Sequence, residues 1–412
     1  MIWLLIFFSI MMFSCKDYFY LTQLFSLSSS ELLMVSISPL SYFLISYFLF
    51  NKLGYLESLG YSWLMGLSIF FTSICFMVSN SLVFLIFLEM VMIPICTLIF
   101  WHSKDSDKIS SVFFMFFLNL LGSLPFILFS LNFLGLSFYF SCSSYFYSLS
   151  KIFSPLFYLF FLLILLCKVP FFFLHYWLTK AHVSSSGACS MILASLMLKL
   201  GTYGLVKFNL IFRGMSLFLL NFVVYLSLMG MIFFLLVMYR SSDLKYIIAG
   251  SSVLHMSLIV PLSISFGYLE YFGSLFMMVS HGVVSYYLFL LVSILYETTH
   301  SRSVEFSSSL ESISKTLVLL IFVCLFLNLG LPPFMGFFSE LLFCSFFSIF
   351  DFYLLVILLF SMLMSVAYLL YVVSKFYFGK TSDLVTLSGS ALDLSIKSYT
   401  FLSALFLLPF LS

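Results

Sequence analysis

Charge is what this chain of 412 residues has least of: 8% of its residues are charged, against 63% hydrophobic and a mean hydropathy of +1.22. So little polar surface cannot coat a body of this size for water, which excludes a soluble globular protein and leaves an all-α polytopic membrane protein. The net charge of +2 names no partner. No basic stretch interleaved with aromatics is present, so nucleic acid is not expected as a partner. The 8 cysteines lie far apart, at 15, 75, 96, 142, 167, 189, 324 and 344, with no CxxC and no Cys/His ligand set. That argues against an iron–sulfur cluster, structural zinc and a disulfide framework. HExxH is absent too, and His175 and His182 stand two turns apart without a carboxylate partner. No cofactor and no metal is therefore expected in this chain. The N-terminal run MIWLLIFFSIMMFSC lacks a basic region before it and a small-residue cleavage site after it, so it reads as a retained helix rather than a signal peptide. Gln and Pro are scarce while Phe, Leu, Ser and Tyr abound. The abundant set is encoded largely by T-rich codons, which suggests a compact organellar genome; balanced base usage in the coding DNA would remove that reading.

What the chain has in plenty is apolar runs of roughly 20 residues, the length that crosses hydrocarbon. Polar punctuation places helices near 1–14, 32–50, 62–80, 81–101, 112–134, 155–178 (broken), 184–207, 215–239, 245–263, 270–296, 316–350 (broken), 352–374 and 396–411, about 13 to 14 in all. The polar stretch Asp17 to Glu31 leaves room for a further partial helix. If these helices alternate, one side of the membrane collects 10 of the 17 basic residues and the other only Lys16, Lys151, Lys207 and Arg213. Inner loops carry the Lys/Arg excess, so the alternation is self-consistent and puts the C-terminus outside.

Two of the runs are interrupted. KVPFFFLHYWLTKAH, Lys168 to His182, has a lysine and a proline inside an apolar helix. NLGLPPFMGFFSE, Asn328 to Glu340, has two prolines and two glycines followed by a carboxylate. Pro170 cannot donate to the Leu166 carbonyl, and Pro332 and Pro333 do the same to Asn328 and Leu329. Freed backbone groups at membrane depth are tolerated only where protein or trapped water satisfies them. Paired interruptions in two halves of a chain mark ion-translocating folds with inverted repeats. Glu89, Lys199, His255 and His281 fall at mid-helix, and Lys168 and Glu340 beside the breaks. A Lys or Glu at that depth costs about 2.5 to 3.5 kcal/mol on insertion scales, so such groups usually face the bundle interior and usually serve function. The plainer readings are that a lone lysine snorkels or pairs structurally. They weigh equally for His175 and His182, and they are preferred for the loop residues His102 and His300 and for the helix-end charges Asp351 and Glu270.

KVPFFFLHYWLTKAHVSSSGACSMILASLMLKLGTYGLVKF, Lys168 to Phe208, resembles the signature of the chain 4 family of mitochondrial NADH:ubiquinone oxidoreductase, respiratory complex I, a relative of the cation/proton antiporters. The resemblance extends through FLEMVMIP (Phe87 to Pro94), SDLKYIIAGSSVLHMS (Ser242 to Ser257), VSHGVVSYYLF (Val279 to Phe289), YETTHSR (Tyr296 to Arg302) and LGLPPFMGFFSE (Leu329 to Glu340). It implies a proton-pumping membrane-arm subunit with two inverted antiporter-like repeats, each with a discontinuous helix. The layout it suggests is N-terminal helices over 1–80, a first half over 81–208, a second over 209–375, and a C-terminal loop and helix over 376–412. It implies that Glu89, Lys168, Lys199, His255, His281 and Glu340 form a proton-transfer axis, with Lys245 on or near it. It implies as partners the lipid bilayer and the neighbouring chains 2 and 5, a site in the mitochondrial inner membrane, and NADH and ubiquinone used elsewhere in the complex. Those sister chains carry lysine where Glu340 stands, so the glutamate favours chain 4, and Glu340→Lys is expected to keep part of the function.

Two departures stand out. The family usually reads proline at Thr179 and Glu-Ala-Pro at Ser184, Ser185 and Ser186, and the N-terminal part is about one helix short. The expected chemistry is an electrostatic relay: at about 7 Å and an effective dielectric near 20, Glu89 and protonated Lys168 attract by about 2.4 kcal/mol. Moving the glutamate or its proton then alters Lys168, and protons pass on through Lys199 and His255 to Glu340. A stand-alone cation/proton antiporter, or chain 2 or 5 of the same complex, is the main alternative, and a scaffold that has lost pumping a third.

Overall fold

The computed structural model describes residues 19–22, 25–27, 34–35, 55–103, 105–131, 155–212, 215–265, 267–299, 301–304, 315–332 and 334–378. The helices expected at 1–14 and 396–411, most of that at 32–50, and the residues His300 and Pro333 lie outside them. In chain order the described elements are β1 (Phe19–Thr22), β2 (Phe25–Leu27), α1 (Tyr55–Met77), α2 (Ser81–His102), α3 (Lys108–Leu131), α4 (Pro155–Lys168), α5 (Tyr176–Ser184), α6 (Gly187–Lys207), α7 (Asn209–Phe212), α8 (Leu217–Arg240), α9 (Leu244–Ile264), α10 (Tyr268–Thr299), α11 (Lys315–Asn328), α12 (Met335–Phe350) and α13 (Phe352–Phe378).

Eight of these helices are long and apolar enough to cross a membrane. The two interrupted runs appear as pairs of shorter helices, α4 with α5 and α11 with α12. Where a partial helix had room near Asp17 to Glu31, the chain instead forms an antiparallel ribbon with Phe19 opposite Leu27 and Tyr20 opposite Ser26. Aromatic residues in a short run fit a pleated strand better than one isolated turn of helix.

The chain divides into two compact units, Met1–Val224 with Ser263–Gly267, and Tyr225–Leu262 with Tyr268–Ser412. In the first, α1 packs on α2, α2 on α3, and α3 on both halves of the broken helix, while α6 lies against α4 and α1. Phe84, Ile95, Phe161, Leu165 and Leu198 are buried there, whereas Trp63, Phe113 and Leu128 stay exposed on faces suited to lipid. In the second, α10 packs against α11 and α12, and α13 against the same two.

Hydroxyls inside these helices turn back on their own backbone. Ser68 donates to the Met65 carbonyl at 2.7 Å, Ser251 to Ile248 at 2.8 Å, Ser257 to Leu254 at 2.8 Å and Ser361 to Leu358 at 2.7 Å. Helix starts are capped where the sequence offers a side chain: Asn80 accepts from the Leu82 N–H at 3.0 Å, and Asp351 from the Tyr353 N–H at 3.0 Å. The second oxygen of Asp351 accepts from the Tyr225 hydroxyl at 2.7 Å, so this residue is the helix-end charge it was read as.

Candidate functional site

The first break begins where α4 runs out of donors. Pro170 has no N–H to give the Leu166 carbonyl, and the Phe171 N–H turns to Val169 at 2.7 Å, which leaves the Cys167 carbonyl without its helical partner. The indole N–H of Trp177 takes that place at 3.0 Å. Phe173 then adopts φ 69°, a left-handed backbone that a bulky side chain rarely accepts, with its ring largely exposed. His175 precedes α5, and the Leu178 N–H reaches its carbonyl at 3.0 Å.

Lys168 ends α4 at this break, and its Nζ lies 3.2 Å from Glu89 Oε1 on α2, with side-chain exposures of 4% and 27%. The separation is less than half the spacing assumed from the sequence. The approach is a charge contact without the alignment of a hydrogen bond, so both atoms keep unused bonding capacity. Glu89 sits one residue before Met90, whose carbonyl loses its helical donor to Pro94. Polar capacity is thus concentrated on both sides of the contact.

Lys199 is on α6, 2% exposed. Its side-chain nitrogen donates to the Ala194 carbonyl inside a π turn, Leu193–Met197, that widens the helix one turn before it. π turns of this kind concentrate at functional sites. Two residues on, Gly201 meets the break: a β-carbon there would lie 2.8 Å from Lys168 Cβ and 3.0 Å from Val169 N. Glycine lets α6 and the end of α4 approach backbone to backbone.

In the second unit His255 on α9 and His281 on α10 have ring centroids 5.5 Å apart. Both line a cavity with room for about one water centre (≈ 10 Å³), together with Ser280, Asn328, Gly330 and Glu340. Glu340 reads from spacing as near the second break but outside it, some two turns along α12. The structure corrects this: its carboxyl group lies directly over Gly330, where a β-carbon would come within 2.8 Å of Cδ, Oε1 and Oε2. Side chains on a helix lean towards its N-terminus, and Glu340 in the second turn of α12 reaches back across the break.

The structure therefore brings Glu89 together with Lys168, and His255 and His281 together with Glu340. Lys199 and Lys245 are buried on α6 and α9. His182 is fully buried at the end of α5, His175 stacks beside Phe172 at 6.2 Å, and His102 meets Tyr61 edge-on at 4.5 Å. The serines at the departure from the resemblance tie the loop down, Ser184 to Ser111 at 2.7 Å and Ser186 to Tyr61 at 2.6 Å. Trp177, Gly201 and the π turn are not singled out from the sequence, and Gly330 stands there only as one of the two glycines at the second break. The glycines carried a signal, since each stands within an ionisable motif, whereas LASLM has neither Gly nor Pro to announce a π turn.

Residues 78–367 match the family model described as NADH:quinone oxidoreductase/Mrp antiporter, TM. The chain belongs to this family. A curated relative from Artemia franciscana named NADH-ubiquinone oxidoreductase chain 4 is 32% identical over 301 residues, 72% of this chain and 76% of the relative. One of the same name from Rhipicephalus sanguineus is 33% identical over 271 residues, 65% of this chain, and the match spans only 60% of that relative's length. Among solved structures, respiratory complex I from Thermus thermophilus with bound NADH contains a chain of the same fold, with a TM-score of 0.80 at 21% identity, covering 96% of this chain and 87% of that one.

Proposed function

We propose that this chain is a proton-translocating subunit of the membrane arm of respiratory complex I, placed in the mitochondrial inner membrane beside chains 2 and 5. It couples electron transfer from NADH to ubiquinone, carried out elsewhere in the complex, to proton movement. Membership of the antiporter-like family and the name shared by its relatives support this reading. The observation that carries it is the contact between Glu89 and Lys168.

At 3.2 Å the two charges attract by about 5 kcal/mol for an effective dielectric near 20. Drawing Glu89 away, or delivering a proton to it, removes that attraction and changes how firmly Lys168 holds its own proton. A proton crossing a potential on the order of 100 mV requires about 2.3 kcal/mol, so this contact is of the size a pump needs. Lys168 stands where the broken backbone and Glu89 supply polar capacity, and Lys199 on α6 is the next buried lysine. In the second unit His255, His281 and Glu340 share one water-sized cavity and carry protons there. The energy comes from partner subunits, where NADH and ubiquinone react.

The family description also names Mrp antiporters, so the competing assignment is a stand-alone cation/proton antiporter. Native electrophoresis of the solubilised membrane separates the two. Co-migration of this chain with a large NADH-oxidising assembly supports the proposal, and a small complex without that activity overturns it.

A further inference from the structure

The surroundings of the Glu340 carboxyl group have a definite shape. Three observations define that shape. A β-carbon on Gly330 would lie 2.8 Å from each of the three carboxyl atoms, a distance at which one group has to move. Gly330 has φ +69°, a conformation glycine holds without strain and other residues rarely adopt. Gly336 faces the same niche, since its own missing β-carbon would lie 3.6 Å from Gly330 Cα and 3.7 Å from Ser280 Oγ. Two bare α-carbons and a serine thus wall a niche that opens into the cavity of His255 and His281.

We propose that Gly330 is the positioning residue for Glu340: its bare α-carbon seats the carboxyl group and holds it in the cavity shared with His255 and His281. The inference rests on the reading of Glu340 as a proton carrier, while the steric contact does not. The seat is specific for length. Glutamate reaches it, aspartate falls one methylene short, and any side chain at 330 evicts the carboxyl group from it.

The test compares wild type, Gly330→Ala, Glu340→Asp and the double variant in the assembled membrane complex. Gly330→Ala is expected to lower NADH-driven proton uptake about tenfold, to shift the pH midpoint of turnover, and to move the Glu340 carboxyl stretch in infrared difference spectra. Alanine is expected to cost little further uptake in the Glu340→Asp background, because the shorter acid does not occupy the seat. Strain at a positive φ is the same in both backgrounds, so it cannot produce that difference. If Gly330→Ala does not assemble, the amount of complex on native gels replaces uptake as the readout, and recovery in the double variant supports the proposal. Equal losses in both backgrounds, or Gly330→Ala with normal uptake and an unmoved carboxyl band, would overturn it. Glu340→Gln separates the two ideas. Normal pumping there would remove the proton role of Glu340, and the dependence of the alanine effect on acid length would still report the seat.

Discussion

The indole N–H of Trp177 donates to the carbonyl of Cys167 at 3.0 Å, across the gap that separates α4 from α5. Because the Phe171 N–H is turned to Val169, this bond replaces the helical one that the break removes. Trp177→Phe keeps most of the ring and deletes the donor, which leaves a buried carbonyl unsatisfied at a cost of about 1–3 kcal/mol. Thermal inactivation of the assembled complex is expected at a lower temperature; an unchanged curve would mean that another group satisfies Cys167.

Glu89→Gln strands Lys168, which is buried, and Lys168→Met leaves the part-exposed Glu89 unpaired; breaking a fully buried pair costs about 3–5 kcal/mol, and the exposure of Glu89 lowers the cost of the second variant. Each single variant is expected to reduce assembly and to abolish or greatly reduce pumping. The double variant is expected to regain assembly without regaining pumping, because no charge is then stranded and no switch is restored. Proton-to-electron stoichiometry in sealed vesicles is the measurement, and normal values in both single variants would sink the assignment.

Glu340→Gln occupies the same space without a transferable proton, so proton release from the second half is expected to stop while Lys168 remains able to titrate. For Glu340→Lys the seat over Gly330 reverses what the resemblance alone favours. A lysine is longer than the glutamate that already lies against Gly330, so its nitrogen overshoots the seat. Loss of pumping is expected there too, and a lysine variant that pumps as well as wild type would contradict this account of the site.

Gly201→Ala puts a methyl 2.8 Å from Lys168 Cβ and 3.0 Å from the Val169 nitrogen, atoms fixed to a backbone that has little freedom to yield. Overpacking of this kind costs about 1–3 kcal/mol. Gly60→Ala on α1, where nothing lies within 4 Å, is the control and is expected to be neutral or slightly stabilising. Yield of assembled complex on native gels distinguishes the pair, and equal yields would show that α6 is free to shift.

The described helices and both breaks are legible in the sequence because length, hydropathy and proline act locally. The six ionisable positions stand out because charge is so rare here, and the structure brings Glu89 to Lys168 and gathers His255, His281 and Glu340. Their distances were not legible. Glu89 and Lys168 were assigned a generous spacing since nothing local tells how far α2 leans towards α4, and the contact emerged only from packing. Glu340 was misjudged by counting rise along the helix axis, which ignores that its side chain points backwards. The ribbon at Phe19–Thr22 and Phe25–Leu27 escaped because its seven residues carry no turn signal as clear as Asn-Gly.

The serines that bond to their own helix have an evolutionary consequence. A hydroxyl already satisfied one turn back asks nothing of its neighbours, so lipid and adjacent helices register it mainly as a change in volume. Codons for serine, phenylalanine and leucine are separated by single-base changes, and exchanges among them at outward positions leave backbone pairing intact. Ser345 and Ser374 are held in this self-contained way on exposed faces, whereas Lys168, Gly201 and Gly330 are held by specific neighbours. Volume, rather than pairing, is therefore what such an exchange alters at an outward serine, whereas a change at Lys168, Gly201 or Gly330 meets a specific neighbour.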